Sequence, residues 1–302
     1  RNGKTFVREG YQVSCDEKYL AELYAILKDS YIDNLAKKAV TKVTTKDAEG
    51  NDIVLERPTR IKLPKGIELT VPTSEKNFVG NYPMGTAIPL AEKDNVIGIY
   101  WRNEWGVYDY DLHFVSNSGK HYGWNGDYHS GKYGKIIYSG DMTSACPEAA
   151  ECIYIEKGAP DGVISVNKFS GDMNSKFKLF VAVDPSKANM DRRDRCNSSA
   201  KNAMVDPNKI VFEAELMHES YGQKIIAKIE DGKIFMSNVE AGNARVPSVS
   251  MMRVIEAQGK VKANSYIKLN DLLTAAGFEF VEDEPDIDLT QMSKNDLIKL
   301  VE

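Results

Sequence analysis

Between Ile61 and about Val239 the chain is cut into short segments of alternating polarity, each closed by Gly, Pro, Asn or Asp. They read "GIELTVP", "NVIGIYW", "DYDLHFV", "KIIYSG", "ECIYIE", "GVISVNKF", "FKLFVAV", "KIVFEAELM", "QKIIAKIE" and "GKIFMSNV". A period of two with such punctuation is the pattern of half-buried antiparallel strands, and this many short strands bury their apolar faces only by packing two sheets together or closing a barrel. The expected fold class is therefore mostly β, a β-sandwich over 61–243. Two connections are long: "TSEKNFVGNYPMGTAIPLAEKD" and "PSKANMDRRDRCNSSAKNAMVDP". The second, with Arg192, Arg193, Arg195 and Lys201 around Cys196, reads as a solvated loop.

The flanks have a different texture. Residues 14–40 carry Leu20, Leu23, Tyr24, Leu27, Tyr31 and Leu35 at helical spacing, opened by Ser14 and Glu17 in a capping-box pattern. From Val40, "VTKVTTKDAEGNDIVLERP" alternates about Ala48–Asn51 as a hairpin closed by Pro58. After Gly242, "PSVSMMRVIEAQGK" and "NDLLTAAGF" read as helices, the second capped by Asn270 and stopped by Gly277. An acidic linker and a last helix begun by Ser293 and Asp296 complete an α-helical C-terminal extension. The expected organisation is 1–60, a helical N-terminal arm plus hairpin; 61–243, the sandwich; and 244–302, the helical extension. The amphipathic helices at both ends are expected surfaces for protein partners.

Bulk properties remove several functions. The net charge of -5 over 302 residues lacks the excess of Lys and Arg that a phosphate-binding surface needs, so nucleic acid is not an expected partner. No apolar run approaches the roughly 20 residues that span a bilayer, and no secretory signal is expected. Cys15, Cys146, Cys152 and Cys196 lack C-x-x-C spacing, which fits reduced thiols in a cytoplasmic setting rather than a zinc knuckle or disulfide framework.

The chemistry concentrates in "YDYDLHF". In a strand, Asp109 and Asp111 point to the same face, where like charges repel unless something positive lies between them. Asn125 and Asp127 in "YGWNGDYHSG", Asp141 in "IIYSGDMT", and Glu148 and Glu151 in "CPEAAEC" follow at strand ends and turns. Together they supply the oxygen ligands that a hard cation such as Ca2+ takes, six to eight in number. The same residues are also ordinary turn formers. The spacing is not that of an EF-hand, so such a site would be assembled from separate loops. An enzyme reading is weaker. His113, His121, His129 and His218 can act as bases, but G-x-S-x-G, a Walker loop and G-x-G-x-x-G are all absent. A glycosidase carboxylate pair can be drawn from Asp109, Asp111, Asp127 or Asp141, yet carboxylates alone do not fix that mechanism. The aromatics of 100–128, including Trp101, Trp105, Trp124, Tyr110 and Tyr122, read first as sheet packing, and otherwise as a stacking platform.

The order "LPKGIELTV", "VIGIYW", "DYDLHF", "IIYSGDMT" to "AAECIYI", "GVISVNKFSG" and "GKIFMSNVEAGN" resembles the TerD family of tellurite-resistance and stress-response proteins over roughly 61–243. D-x-D followed by S-G-D is the most specific part. The resemblance implies a non-enzymatic β-sandwich that binds calcium through loop acids: Asp109 and Asp111 from D-x-D, Asn125 and Asp127 from the next loop, and Asp141 from S-G-D. The chain departs from the family after S-G-D, where Met142 replaces the usual Asn and only Glu148 and Glu151 stand for a run of acids. That departure points to one site where the family often has two. The alternative is a structural or interaction scaffold, phage-borne or part of a larger assembly, that uses the sandwich without functional metal.

Overall fold

The computed structural model describes residues 16–302 apart from 73, 93, 129–134, 184–204, 220, 243–254, 256, 258–262 and 264–265. The chain is mostly β, with helices near both ends, and divides into two compact units: Arg8–Glu75 with Tyr266–Glu302, and Lys76–Ser265. The flanks, read in sequence as an arm over 1–60 and a separate extension over 244–302, thus share one unit, which runs through residues 61–75 as far as Glu75 and resumes at Tyr266. Among the described residues no helix is long and apolar enough to cross a membrane.

In the first unit, helix α1 (Glu17–Ala36) is capped by Asp16, whose carboxylate accepts the Lys18 N–H. The cap expected at Ser14 lies outside the described residues, and the helix stops four residues short of Val40, which instead opens a strand. Leu35 is buried, whereas Tyr19, Leu20, Leu23, Tyr24, Ile26 and Leu27 are exposed. Strands β1 (Val40–Lys46) and β2 (Asp52–Pro58) form the expected hairpin, in register from Val40 opposite Pro58 to Lys46 opposite Asp52. Its turn is held by Asp47, which accepts the Glu49 and Asn51 amides. Strand β3 (Arg60–Lys62) is the centre of a parallel three-stranded sheet with Glu279–Phe280 and Ile287–Asp288. Helix Leu269–Ala276 starts after Lys268, so Asn270 lies inside it rather than at its cap. Gly277, at φ 94°, takes the left-handed conformation that ends it. Helix Lys294–Val301 carries the expected Ser293 and Asp296 capping box, and Lys38 Nζ donates to its terminal carbonyls at Lys299 and Leu300.

"GIELTVP" is not a sandwich strand. It lies in this first unit, where the Leu69 carbonyl accepts the Leu269 N–H and the Val71 N–H donates to Ile267, so its alternation is satisfied by a segment about 200 residues later.

The second unit is the sandwich. Its first connection holds a small hairpin, β4 (Phe78–Val79) with β5 (Tyr82–Pro83), and then β6 (Ala87–Pro89). The main strands are β7 (Asn95–Arg102), β8 (Tyr108–Ser116), β9 (His121–Tyr122), β10 (Ile136–Tyr138), β11 (Glu148–Ile155), β12 (Gly162–Gly171), β13 (Ser175–Val183), β14 (Ile210–His218), β15 (Gly222–Glu230) and β16 (Lys233–Glu240). One sheet has the order β10-β11-β7-β13-β14 and the other β6-β16-β15-β12-β8-β9, with every pairing antiparallel. Tyr110 of β8 joins the sheets, edge-on to Trp101 of β7 at 5.5 Å and against Phe177 of β13 at 5.3 Å between ring centroids. The aromatic concentration is therefore mainly core, with Trp101, Tyr108, Tyr110 and Tyr122 all buried. The 184–204 loop and most of the 247–260 helix expectation lie outside the described residues.

Candidate metal centre

Strand β8 sorts its side chains by parity. Tyr110, Leu112 and Phe114 enter the core, and Asp109, Asp111 and His113 fall on the opposite face. β8 is paired along one side with β12, where Asp111 stands opposite Asn167. On its other side β9 pairs only with Phe114 and Val115, which leaves the edge around Asp111 open to loops. The loop after β10 enters there and carries Asp141. The carboxylates of Asp109, Asp111 and Asp141 meet with ligand oxygens all within 4.8 Å of one another. These three residues can hold a metal ion.

The electrostatics are those of an uncompensated cluster. Among the described residues no lysine or arginine is paired with any of the three. Asp111, only 4% exposed, accepts one hydrogen bond from the Asn167 side-chain amide at 2.9 Å. Its carboxyl is pushed up to about 7, first by burial and then by the charges of Asp109 and Asp141; Asn167 and the nearby Trp124 indole act against that rise. The Trp124 N–H points toward this carboxylate without completing a hydrogen bond. Asp109 is pushed up to about 6 by burial and by Asp141, and burial also raises Asp141. Asp109 Oδ1 and Asp141 Oδ1 are buried oxygens with no hydrogen-bond partner among the described residues. Buried acceptors are ordinarily satisfied, so orphaned oxygens on two of the three converging carboxylates mark a place for a positive or hydrogen-bearing group.

The other four expected ligands are placed differently. Asn125 is exposed on the loop after β9. Asp127 is exposed and pairs with Lys120 at 3.4 Å, outside the cluster, because the backbone at 127 returns to bond the His121 carbonyl. Glu148 is half exposed and pairs with Arg102 at 3.4 Å, its cross-strand partner on β7. Glu151 is fully buried, and both of its oxygens accept from protein donors: Leu112 N–H at 2.7 Å, Tyr138 O–H at 2.8 Å and Met142 N–H at 2.8 Å. Burial raises its carboxyl well above the usual range.

Sequence reasoning missed Asn167. Its signal was a lone amide within "GVISVNKF", since a polar side chain in a buried strand needs a partner. None of the three described histidines belongs to the carboxylate cluster. His113, 1% exposed, shares a 2.8 Å hydrogen bond with His121, and burial lowers its pKa to about 3. His218 bonds the Gly222 carbonyl, and His129 lies outside the described residues. Cys146 and Cys152 are free thiols. Comparison with protein-family models, with curated proteins and with solved structures finds no match.

Proposed function

We propose that this protein is a calcium-binding module of the TerD type, a non-enzymatic component of a tellurite-resistance or stress response that works in the cytoplasm through a protein partner. One observation carries the reading: Asp109, Asp111 and Asp141 converge within 4.8 Å, and among the described residues no lysine or arginine pairs with them. Three converging carboxylates suit a hard cation, and a site shared between strand β8 and the Asp141 loop suits the flexible geometry of Ca2+ better than the strict octahedron of Mg2+. The ion would neutralise the repulsion within the cluster and order the loops that bear Trp124 and Asp141, giving a surface that depends on calcium. D-x-D and S-G-D, the motifs that carry the resemblance, supply these three residues.

A scaffold that uses the sandwich without metal is the second reading. It is favoured by helix α1, whose Tyr19, Leu20, Leu23, Tyr24, Ile26 and Leu27 all face solvent. Thermal unfolding with and without millimolar Ca2+ separates the two. A cation that binds only the folded state raises Tm. The calcium reading expects a rise of several degrees in the parent and none in Asp111→Ala; an unmoved Tm in the parent leaves the scaffold.

A further inference from the structure

Glu151 is a carboxylate between two sheets with no exposure to water, a placement that costs several kcal/mol unless donors surround it. The identity of those donors is informative. Oε2 takes the N–H of Leu112, which belongs to the peptide that follows Asp111. Oε1 takes the N–H of Met142, which belongs to the peptide that follows Asp141. A single side chain from β11 thus grips the backbone next to two of the three clustered aspartates. Those two aspartates come from β8 of the other sheet and from the β10–β11 loop. Tyr138 of β10 donates to Oε2 and fixes the direction of the carboxylate.

From this geometry we propose that Glu151 is the positioning residue of the carboxylate centre, holding Asp111 and Asp141 face to face through the amides that follow them. The inference rests on the cation reading for its purpose, but its geometry belongs to the cation-free protein. Asp109, Asp111 and Asp141 repel one another, and nothing in their own side chains draws β8 toward the loop. Glu151 supplies that attraction through backbone N–H groups, so the aspartate oxygens are not consumed and stay directed at one point. Because its own oxygens are engaged, Glu151 supports the centre without ligating in it. Outer-shell partners of this kind change metal affinity about 10- to 100-fold when altered.

Glu151→Gln tests this. The carboxamide keeps the volume and one acceptor oxygen, but its NH2 group faces an amide N–H, so one of the two grips is lost. Hydrogen–deuterium exchange of the cation-free protein should rise in the segments around Leu112 and Met142 and stay unchanged in β13, β14 and β16. Terbium luminescence should show the variant binding Tb3+ about 10- to 100-fold more weakly than the parent. Glu148→Gln, on the exposed neighbour paired with Arg102, should match the parent in both measurements. Tyr138→Phe leaves the carboxylate in place and removes one donor; it should raise exchange at the same two segments by less, and it decides the matter if Glu151→Gln does not fold. Exchange in both variants equal to that of Glu148→Gln, or raised uniformly through both sheets, overturns the positioning role. A parent that binds no Tb3+ overturns the cation reading instead, and the exchange comparison still stands.

Discussion

Asp111 and Asn167 face each other across β8 and β12, and the asparagine donates its side-chain amide to the aspartate at 2.9 Å. Among the described residues that neutral bond is the one formed to a carboxylate that is almost wholly removed from water. It lowers the cost of the charge without cancelling it, because burial and the charges of Asp109 and Asp141 together outweigh it. The strand pairing therefore builds a site that is held together yet unfavourable when empty and ionised.

The first prediction is a stability profile that falls with pH. An aspartate in the unfolded chain titrates near about 4, while Asp109 and Asp111 titrate at about 6 and about 7 in the fold. Between those values the native state holds protons that the unfolded state has released, so stability declines as pH rises. Below about 4 both states are protonated and these groups contribute no slope. Burial lowers the pKa of His113 and of His121, whose slope below about 6.5 runs the other way, so the aspartates set the slope above that value. The cation-free protein should show a higher Tm at about pH 6.5 than at about pH 8, and Ca2+ should narrow the gap by raising the value at the higher pH. A Tm that climbs across that window in chelator contradicts the buried cluster.

Asp111→Asn should separate the two consequences of the charge. The asparagine can turn its carbonyl oxygen to Asn167 and keep that bond while removing the repulsion with Asp109 and Asp141. In chelator at about pH 8 the variant should be at least as stable as the parent, and its pH dependence between about 6.5 and about 8 should be flatter. Its response to Ca2+ should shrink sharply, since one of the three charges that hold the cation is gone even though an amide oxygen can still ligate. Thermal scans at the two pH values, each with Ca2+ or chelator, measure all of this; a variant that gains as many degrees from Ca2+ as the parent removes Asp111 from the site.

The sheets and the core of the site were legible in sequence for a common reason. Period-two alternation ended by turn residues fixes where a strand lies and which face each residue takes, so "YDYDLHF" placed Asp109 and Asp111 together before any fold was known. Asp141 followed from its position in a glycine turn. What failed was partner choice. Asp127 and Glu148 looked equivalent to Asp141 as acids in loops, but they met Lys120 and Arg102, and such pairings depend on register and loop return rather than on local pattern. Leu69 and Val71 read as a strand of the sandwich, whereas their partners are Ile267 and Leu269 in the other unit. The short β6 and β9 were hidden because two or three residues give no period to detect.

Trp124 should report on the centre. Its indole lies beside Asp111, while Trp101 is buried in the core and Trp105 packs edge-on to Tyr100 at 5.7 Å. Neutralising the carboxylates changes the field at the nearest indole most strongly, because Coulomb interactions fall with distance and rise in a low dielectric. Titration with Ca2+ should shift the tryptophan emission of the parent, and Trp124→Phe should remove most of that shift while still binding the ion. If the shift survives in Trp124→Phe, the cation binds elsewhere.

Gly98, the one glycine within the strands of the five-stranded sheet, should not accept a side chain. It sits on β7 between Cys152 of β11 and Phe180 of β13. A Cβ there would overlap the Phe180 ring and press on Cys152 Sγ at 3.0 Å. Phe180 and Cys152 belong to a buried cluster with Val96, Ile137 and Tyr154, so a shift of the ring disturbs that packing. Gly98→Ala should destabilise the sandwich by about 1–3 kcal/mol, as overpacking of a filled core does. Phe180→Leu shortens the side chain where the ring tip overlaps, and combined with Gly98→Ala it should recover part of the loss that the two single changes would sum to. Urea unfolding of the four proteins measures that coupling. Strict additivity would mean that the ring over Gly98 is not what excludes a side chain there.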